Sequence, residues 1–347
     1  MSNIKKIIIW GDKLFKNEIP VKLEDELNHS LHDLRGTFSY IYYGFYRAFH
    51  KLNYNVFWFD HYDNLEDFNF DNSLIIAYNN TIRVNVEKFP IKNNCYYVLH
   101  NVYFEPYYKE LFKYIPTKNI IHYLLPIDKA FNNIDTGIIY YKNRFNFGKY
   151  IDNFGYIMIN MWATDLLPDE IKEINKKILS NDNEINEDNQ NTIYFVGTIE
   201  HNDSLKRMKK IFQDNKVEFN LVGGVNRNVK TMTILENINY TKKSKLSIAV
   251  QNSEQIRLEY CPCRIFKSIS YGFMPLSNNK VVLEVIDPEM IYDEDLNKLY
   301  KKGIEFKKKI NKDKNKIMKR IINKVMNEHT FISRSKSIIE YFVIINS

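Results

Sequence analysis

Hydrophobic and polar positions along the first half of the chain alternate between two periods. Lys6 to Trp10 is a short apolar run closed by Gly11-Asp12. It predicts a buried strand rather than an export signal, because no small-residue cleavage site follows. The stretch from there to Arg35-Gly36 is polar and predicts a long loop. From Thr37 onward, Phe38, Ile41, Phe45, Ala48, Phe49 and Leu52 recur at helical spacing. Asn55 to Phe59, Ser73 to Ala77, Cys95 to Leu99 and Asn119 to Leu125 are short apolar runs bounded by turn residues, and each predicts a strand. Strands interleaved with helices imply a parallel, doubly wound sheet.

Tyr156 to Met161 closes that pattern, and Pro168 with Asp169-Glu170 opens a helix. Residues 180–191, SNDNEINEDNQN, are the most polar and least periodic of the chain and predict an exposed loop at a domain boundary. A second alternation follows. Thr192 to Val196 predicts a strand ending in Gly197-Thr198, Asp203 or Ser204 caps a helix through Leu205, Met208, Ile211 and Phe212, and Val217 to Val222 is a strand ending in Gly223-Gly224. Lys245 to Val250 is a further strand. The expected fold is α/β, with two Rossmann-like domains whose parallel sheets face across a cleft. The first domain spans 1–165, a linker 166–191, the second domain 192–328, and a closing helix over 329–347 is placed to return to the first domain.

The densest chemistry lies in Glu259 to Asn278. Arg264 and Lys267 are three apart and share a helix face, while Ile265, Phe266 and Ile269 provide apolar backing. Gly272 stops the helix, and Met274 to Leu276 re-enter a strand that leads to Ser277-Asn278. This pair of cations either clamps a diphosphate, the Arg as a planar fork and the Lys as a point charge, or forms an exposed helix face. Backbone N–H groups after Gly197 and Gly223 offer phosphate contacts at helix N-termini, or are ordinary turns. His100-Asn101 and Asp12 follow strands of the first half. His100 can donate to a sugar hydroxyl or phosphate, act as a base, or be a plain strand-end polar residue. Asp12 offers a general base, and Asp60-His61 is a third such position or a helix cap. Glu284 accepts from ribose hydroxyls or stabilises a helix N-terminus. His29, His32 and Asp33 read as a chance cluster rather than a metal site, and Thr164-Asp165 as structural.

Composition narrows the partners. The 347 residues carry 49 basic and 42 acidic side chains, a net charge of +7, which suits an anionic small ligand and does not argue for nucleic acid. Three cysteines are too few for a disulfide framework, and no segment reaches the length of a membrane span, so a cytoplasmic protein is expected. Lys298 to Lys324 holds twelve Lys or Arg against Glu305 and Asp313. That basic helix is either a solvated face or a peripheral contact with anionic membrane.

FVGT at 195–198, CRIFKSISYGFMPLSN at 263–278 and HTF at 329–331 followed by IIEYF at 338–342 resemble GT-B fold glycosyltransferases of the family 1/group 4 type, including the spore-maturation-protein-like glycosyltransferases. The likeness runs over residues 192–345, and the first half matches in layout. The resemblance implies metal-independent transfer of a sugar from a nucleotide diphosphate donor to the hydroxyl of a glycan or lipid-linked acceptor. The resemblance, taken with the residue readings above, gives expected donor contacts at Gly197, Thr198, Gly223, Glu259, Arg264, Lys267, Ser277, Asn278 and Glu284, with Asp12 and His100 as catalytic candidates and no metal or cofactor. Many such enzymes use two glutamates eight positions apart. Here Glu259 fills the first place and Lys267 the second, which leaves Glu284 for the ribose and turns Lys267 towards the diphosphate. Acceptor specificity is expected in the loop from Lys13 to Gly36 and the helix near Ser39-Tyr40. A non-catalytic nucleotide-sugar or glycan-binding protein of this fold is the alternative. A Rossmann dehydrogenase would need Gly-x-Gly-x-x-Gly after the first strand, where only Gly11 stands. The metal-dependent glycosyltransferase fold would need an Asp-x-Asp in its first domain, and Asp293-Glu294-Asp295 is expected late in a helical region.

Overall fold

The computed structural model describes residues 4–33, 36–60, 62–102, 105–123, 148–151, 155–158, 162–180, 191–197, 202–222, 231–257 and 260–344. The chain forms two compact units: Met1–Leu14, Thr37–Met161 and Ile332–Ser347 make one, and Phe15–Gly36 with Trp162–Phe331 make the other.

In the first unit the described strands are β1 (Lys6–Trp10), β2 (Val56–Phe59), β3 (Ser73–Tyr78), β4 (Tyr96–His100), β5 (Ile120–Tyr123), β6 (Gly148–Ile151) and β7 (Gly155–Met158). They lie in the order β2-β1-β3-β4-β5-β7-β6. Neighbours are parallel except β6 and β7, and Ile8 sits between Phe57 and Ile75. β1, β3 and β4 are buried almost throughout, which is why they read as unbroken apolar runs rather than alternating ones. On one face Ile8, Trp10, Ile75, Ala77, Tyr97 and Leu99 share a core with Phe89 and Phe112. Helix α1 (Thr37–Lys51) buries Ile41, Phe45, Ala48 and Phe49, as its spacing predicts. It ends where Asn53 takes φ 61°, a left-handed stop that asparagine tolerates. Short helices α2 (Asn79–Val84) and α3 (Tyr108–Leu111) follow β3 and β4.

The second unit contains helices α4 (Pro168–Ile174), α5 (Lys176–Leu179), α6 (Asp203–Asp214), α7 (Ile234–Lys243), α8 (Ser253–Arg257), α9 (Cys263–Ser270), α10 (Val281–Val285), α11 (Leu296–Lys308) and α12 (Asn311–Glu328). Its strands are β8 (Thr192–Val196), β9 (Glu218–Val222), β10 (Ser247–Ile248), β11 (Pro275–Ser277) and β12 (Ile291–Tyr292). β8 pairs with β9, and β10, β11 and β12 pair in series, all parallel. Lys245 N–H donates to Thr192 O at 2.8 Å and Tyr194 N–H to Ser244 Oγ at 3.1 Å, so β8 also meets the segment entering β10. The second unit thus holds two sheets, β8-β9 and β10-β11-β12, which these two hydrogen bonds bring side by side in the order β9-β8-β10-β11-β12. Second, first, third, fourth and fifth strands succeed one another as they do in the first unit. A final helix, α13 (Phe331–Ile344), groups with the first unit from Ile332, where Phe342 lies 4.9 Å from the Tyr96 ring and Tyr341 OH donates to Lys118 O. Among the described residues no helix is long and apolar enough to cross a membrane.

Several local expectations are corrected. The polar stretch before Gly36 contains a 3₁₀ helix, Leu23–Asn28, whose buried Glu26 accepts from Ile234 N–H at 2.9 Å and Leu235 N–H at 3.4 Å at the start of α7. A carboxylate there satisfies two backbone amides that have no partner within the helix and meets its positive end. Asn202, not Asp203 or Ser204, caps α6, accepting from Leu205 N–H. The strand expected over Lys245 to Val250 keeps only the Ser247–Ile248 ladder, and at its entry the Ser244 hydroxyl accepts from Tyr194 N–H. Asp293-Glu294-Asp295 precedes a helix instead of lying within one, and Asp295 caps α11. The basic run is two helices with a corner at Lys309-Ile310. The last helix starts at Phe331, because Thr330 bridges to Thr164.

Candidate functional site

In an open parallel sheet the ligand crevice lies beyond the carboxyl ends of the strands, where the order reverses. In the second unit that point is between β8 and β10. β8 ends at Val196 and Gly197, whose φ of +137° is open to glycine and strained for other residues. Arg264 arrives there from α9. Pro262 fixes the entry of that helix, Ile265, Phe266 and Ile269 bury one face, and Gly272 at φ +95° ends it. The Arg264 guanidinium donates from Nη2 to Val196 O at 2.9 Å and lies 4.0 Å from the Phe195 ring centroid. A Cβ on Gly197 would collide with Nη2, so the glycine is what admits the arginine. Burial lowers the Arg264 pKa from its ordinary value, and no carboxylate among the described residues offsets that burial.

Polar side chains hold this end of the sheet together. Asn278 accepts from Gln251 N–H at 2.7 Å and donates to Gln251 O at 3.0 Å and to Ser204 Oγ at 3.2 Å, linking β11, the exit of β10 and the first turn of α6. Asn202 Nδ2 donates to Val250 O, and Gln251 Nε2 and Asn279 Nδ2 both donate to Tyr260 O. Ser277 accepts from Asn279 N–H and shapes the turn. Sequence reasoning missed Asn202, Gln251, Asn279 and Phe195. For Gln251, Asn279 and Phe195 the signal is an amide or aromatic side chain at or just past a strand end, and for Asn202 it is an asparagine at a helix N-cap.

Lys267, one turn beyond Arg264, faces elsewhere. Its ammonium pairs with Asp165 at 2.6 Å, and Asp165 also accepts from Tyr271 OH at 2.8 Å and 2.9 Å. Burial first, then the Asp165 charge, raises the Tyr271 pKa well above its usual value. Thr164 and Ser270 share a 2.6 Å hydrogen bond, and Asn175 Nδ2 donates to Ser270 O. His329 stacks on Phe266 at 4.8 Å, and Thr164 N–H donates to His329 O, so the 263–278 and 329–331 segments meet. The structure thus separates the two cations by role: Arg264 stands at the strand ends, and Lys267 is enclosed in an ion pair. Glu284 is exposed on α10, just past β11. Thr198, Gly223, Glu259 and His61 lie outside the described residues.

The equivalent point of the first unit lies between β1 and β3. Gly11 there faces Tyr42, whose ring a Cβ would meet at 2.8 Å. The buried Tyr42 phenol has its pKa raised by burial, then by Tyr78 and Asp12, which places the half-buried Asp12 beside both phenols. His100, at the end of β4, is 1% exposed and contacts Phe38 at 5.0 Å and Tyr78 at 5.2 Å. Burial pulls its pKa down to about 3, so the imidazole is neutral at physiological pH. Asp60 accepts from Tyr62 N–H, a turn-capping role. No three His, Cys, Asp or Glu residues among those described group as a metal-ion site. No protein-family model, curated protein or solved structure matches this chain.

Proposed function

We propose that the protein is a metal-independent glycosyltransferase of the GT-B type, taking a nucleotide diphosphate sugar at the second unit and an acceptor hydroxyl from a glycan or lipid-linked glycan. The observation that carries this reading is Arg264, a guanidinium at the strand-order reversal, packed on Phe195 beside Gly197, without a carboxylate partner among the described residues. A half-buried guanidinium without an acidic partner among the described residues bears a desolvation cost, and an arriving diphosphate offsets it. Arg264 would stabilise the charge that develops on the leaving diphosphate, in the place a divalent ion takes elsewhere. Lys267 contributes indirectly, by fixing α9 through Asp165. In the first unit Asp12 is the candidate base, while neutral His100 serves as a hydrogen-bonding group.

Thermal-shift measurements with UDP, GDP, CDP and dTDP sugars test the reading. At least one donor raises the melting temperature of the wild type and none raises that of Arg264→Met. If every donor leaves the wild type unmoved, the donor site is wrong. Burial makes His100 a poor base, so the catalytic reading rests on Asp12, and the second reading is a non-catalytic nucleotide-sugar-binding protein of the same fold. Donor hydrolysis or transfer to a glycan acceptor separates the two, because a binding protein shows the thermal shift and no turnover.

A further inference from the structure

The corner between α11 and α12 carries a cluster of exposed lysines. Lys308, Lys309, Lys312 and Lys316 are exposed there, and none pairs with a carboxylate among the described residues. Of the acids nearby in sequence, Asp293 pairs with Lys302, Asp287 and Glu289 pair with Arg320, and the exposed Glu305 stays on α11 beside the lysines. Asp313 is the single carboxylate in the first turn of α12. Lys307 adds positive field, since after burial it is the cause that lowers the Lys245 pKa. At the apex of this cluster sits an apolar residue. Ile310, at the N-cap of α12, is 65% exposed, and Lys309 lies over the half-buried Phe306 ring at 5.8 Å.

Lone exposed aliphatic residues are common and need no explanation. An isoleucine at the tip of a helix corner, ringed by unpaired lysines, is a different arrangement. A phosphodiester chain or an acidic protein surface would engage the lysines and gain nothing from Ile310. A bilayer surface engages both, because its anionic headgroups attract lysines while the interface accepts an aliphatic side chain. We propose that this corner docks the protein on an anionic lipid surface, with Ile310 entering the headgroup layer and Lys308, Lys309, Lys312 and Lys316 contacting lipid phosphates. The proposal does not depend on the transferase reading, and its test uses no sugar donor.

Co-sedimentation of the full chain with phosphatidylcholine vesicles containing about 30% phosphatidylserine, against pure phosphatidylcholine vesicles, measures the partition directly. Wild type partitions onto the anionic vesicles alone, and about 0.5 M salt releases it because exposed charges are then screened. Replacing Lys308, Lys309, Lys312 and Lys316 together by Gln lowers the partition coefficient more than about a hundredfold, at about fivefold per lysine. Ile310→Ser lowers it about three- to tenfold without changing the salt dependence. All five positions are exposed, and circular dichroism checks that each variant folds. Absence of wild-type binding to anionic vesicles at low salt overturns the proposal. So does an Ile310→Ser variant that binds vesicles like the wild type while both hold heparin equally, since the surface would then be a general polyanion site.

Discussion

The two units place their first five strands in the same order and differ in what stands at the strand ends. In the first unit the reversal between β1 and β3 is lined by Tyr42, Tyr78, Phe38 and a His100 kept neutral by burial. In the second unit the same position holds Arg264, a permanent charge resting on an aromatic ring. Topology therefore sets where a ligand goes, and the side chains after each strand set which ligand it is. Under the proposed function, the aromatic strand end beside Asp12 takes the uncharged hydroxylated acceptor, and the cationic one takes the phosphates. The contrast recurs within α9, where Arg264 has no acidic partner among the described residues and Lys267 is held by Asp165.

The largest expected effect separates these two cations. Lys267→Met leaves the 1%-exposed Asp165 side chain without its counter-charge and lowers unfolding free energy by about 3–5 kcal/mol, read by urea denaturation. Arg264→Met does the reverse, leaving ligand-free stability equal or raised and weakening diphosphate binding about a hundredfold, or about 2.7 kcal/mol. Equal destabilisation by the two would erase the distinction. His100 sharpens the contrast through pH. Its folded pKa of about 3 lies below the unfolded value near 6.5, so between those limits the unfolded chain binds the extra proton and stability rises with pH. Between pH 7.5 and 5 His100 alone accounts for a loss of about 2 kcal/mol, which His100→Phe removes. The half-buried His50, also shifted down by burial, leaves a smaller slope of the same sign in that variant. Gly197→Ala gives the smallest change, about 1–2 kcal/mol from strained backbone, together with displacement of Arg264 and loss of nucleotide affinity.

Features written locally in the chain were the legible ones. Lys6–Trp10 and Thr192–Val196 are found with the bounds their apolar runs indicate, and Gly272 ends α9 in the left-handed region. These depend on side-chain period and on one residue's backbone freedom. What sequence reading could not supply depends on partners far along the chain. The Asp165 that engages Lys267 lies about a hundred positions away, and Glu26 reaches α7 over a separation of 208 residues. Neither carboxylate sits in a recognisable motif. The Asn278 pairing with Gln251 was hidden for a related reason, because an amide that completes a strand edge looks in sequence like any polar residue after a strand. Arg264 was legible as a cation, and its contact with Phe195 and Gly197 emerged only once β8 and α9 were adjacent.

Isothermal titration of wild type and Arg264→Met with UDP, GDP, CDP and dTDP, each set against its parent nucleoside, tests the central claim most directly. The account predicts that the wild type binds at least one diphosphate at least about tenfold more tightly than its nucleoside, a difference of about 1.4 kcal/mol, and that Arg264→Met abolishes this preference. A wild type that binds no diphosphate, or a preference that survives in Arg264→Met, would contradict it.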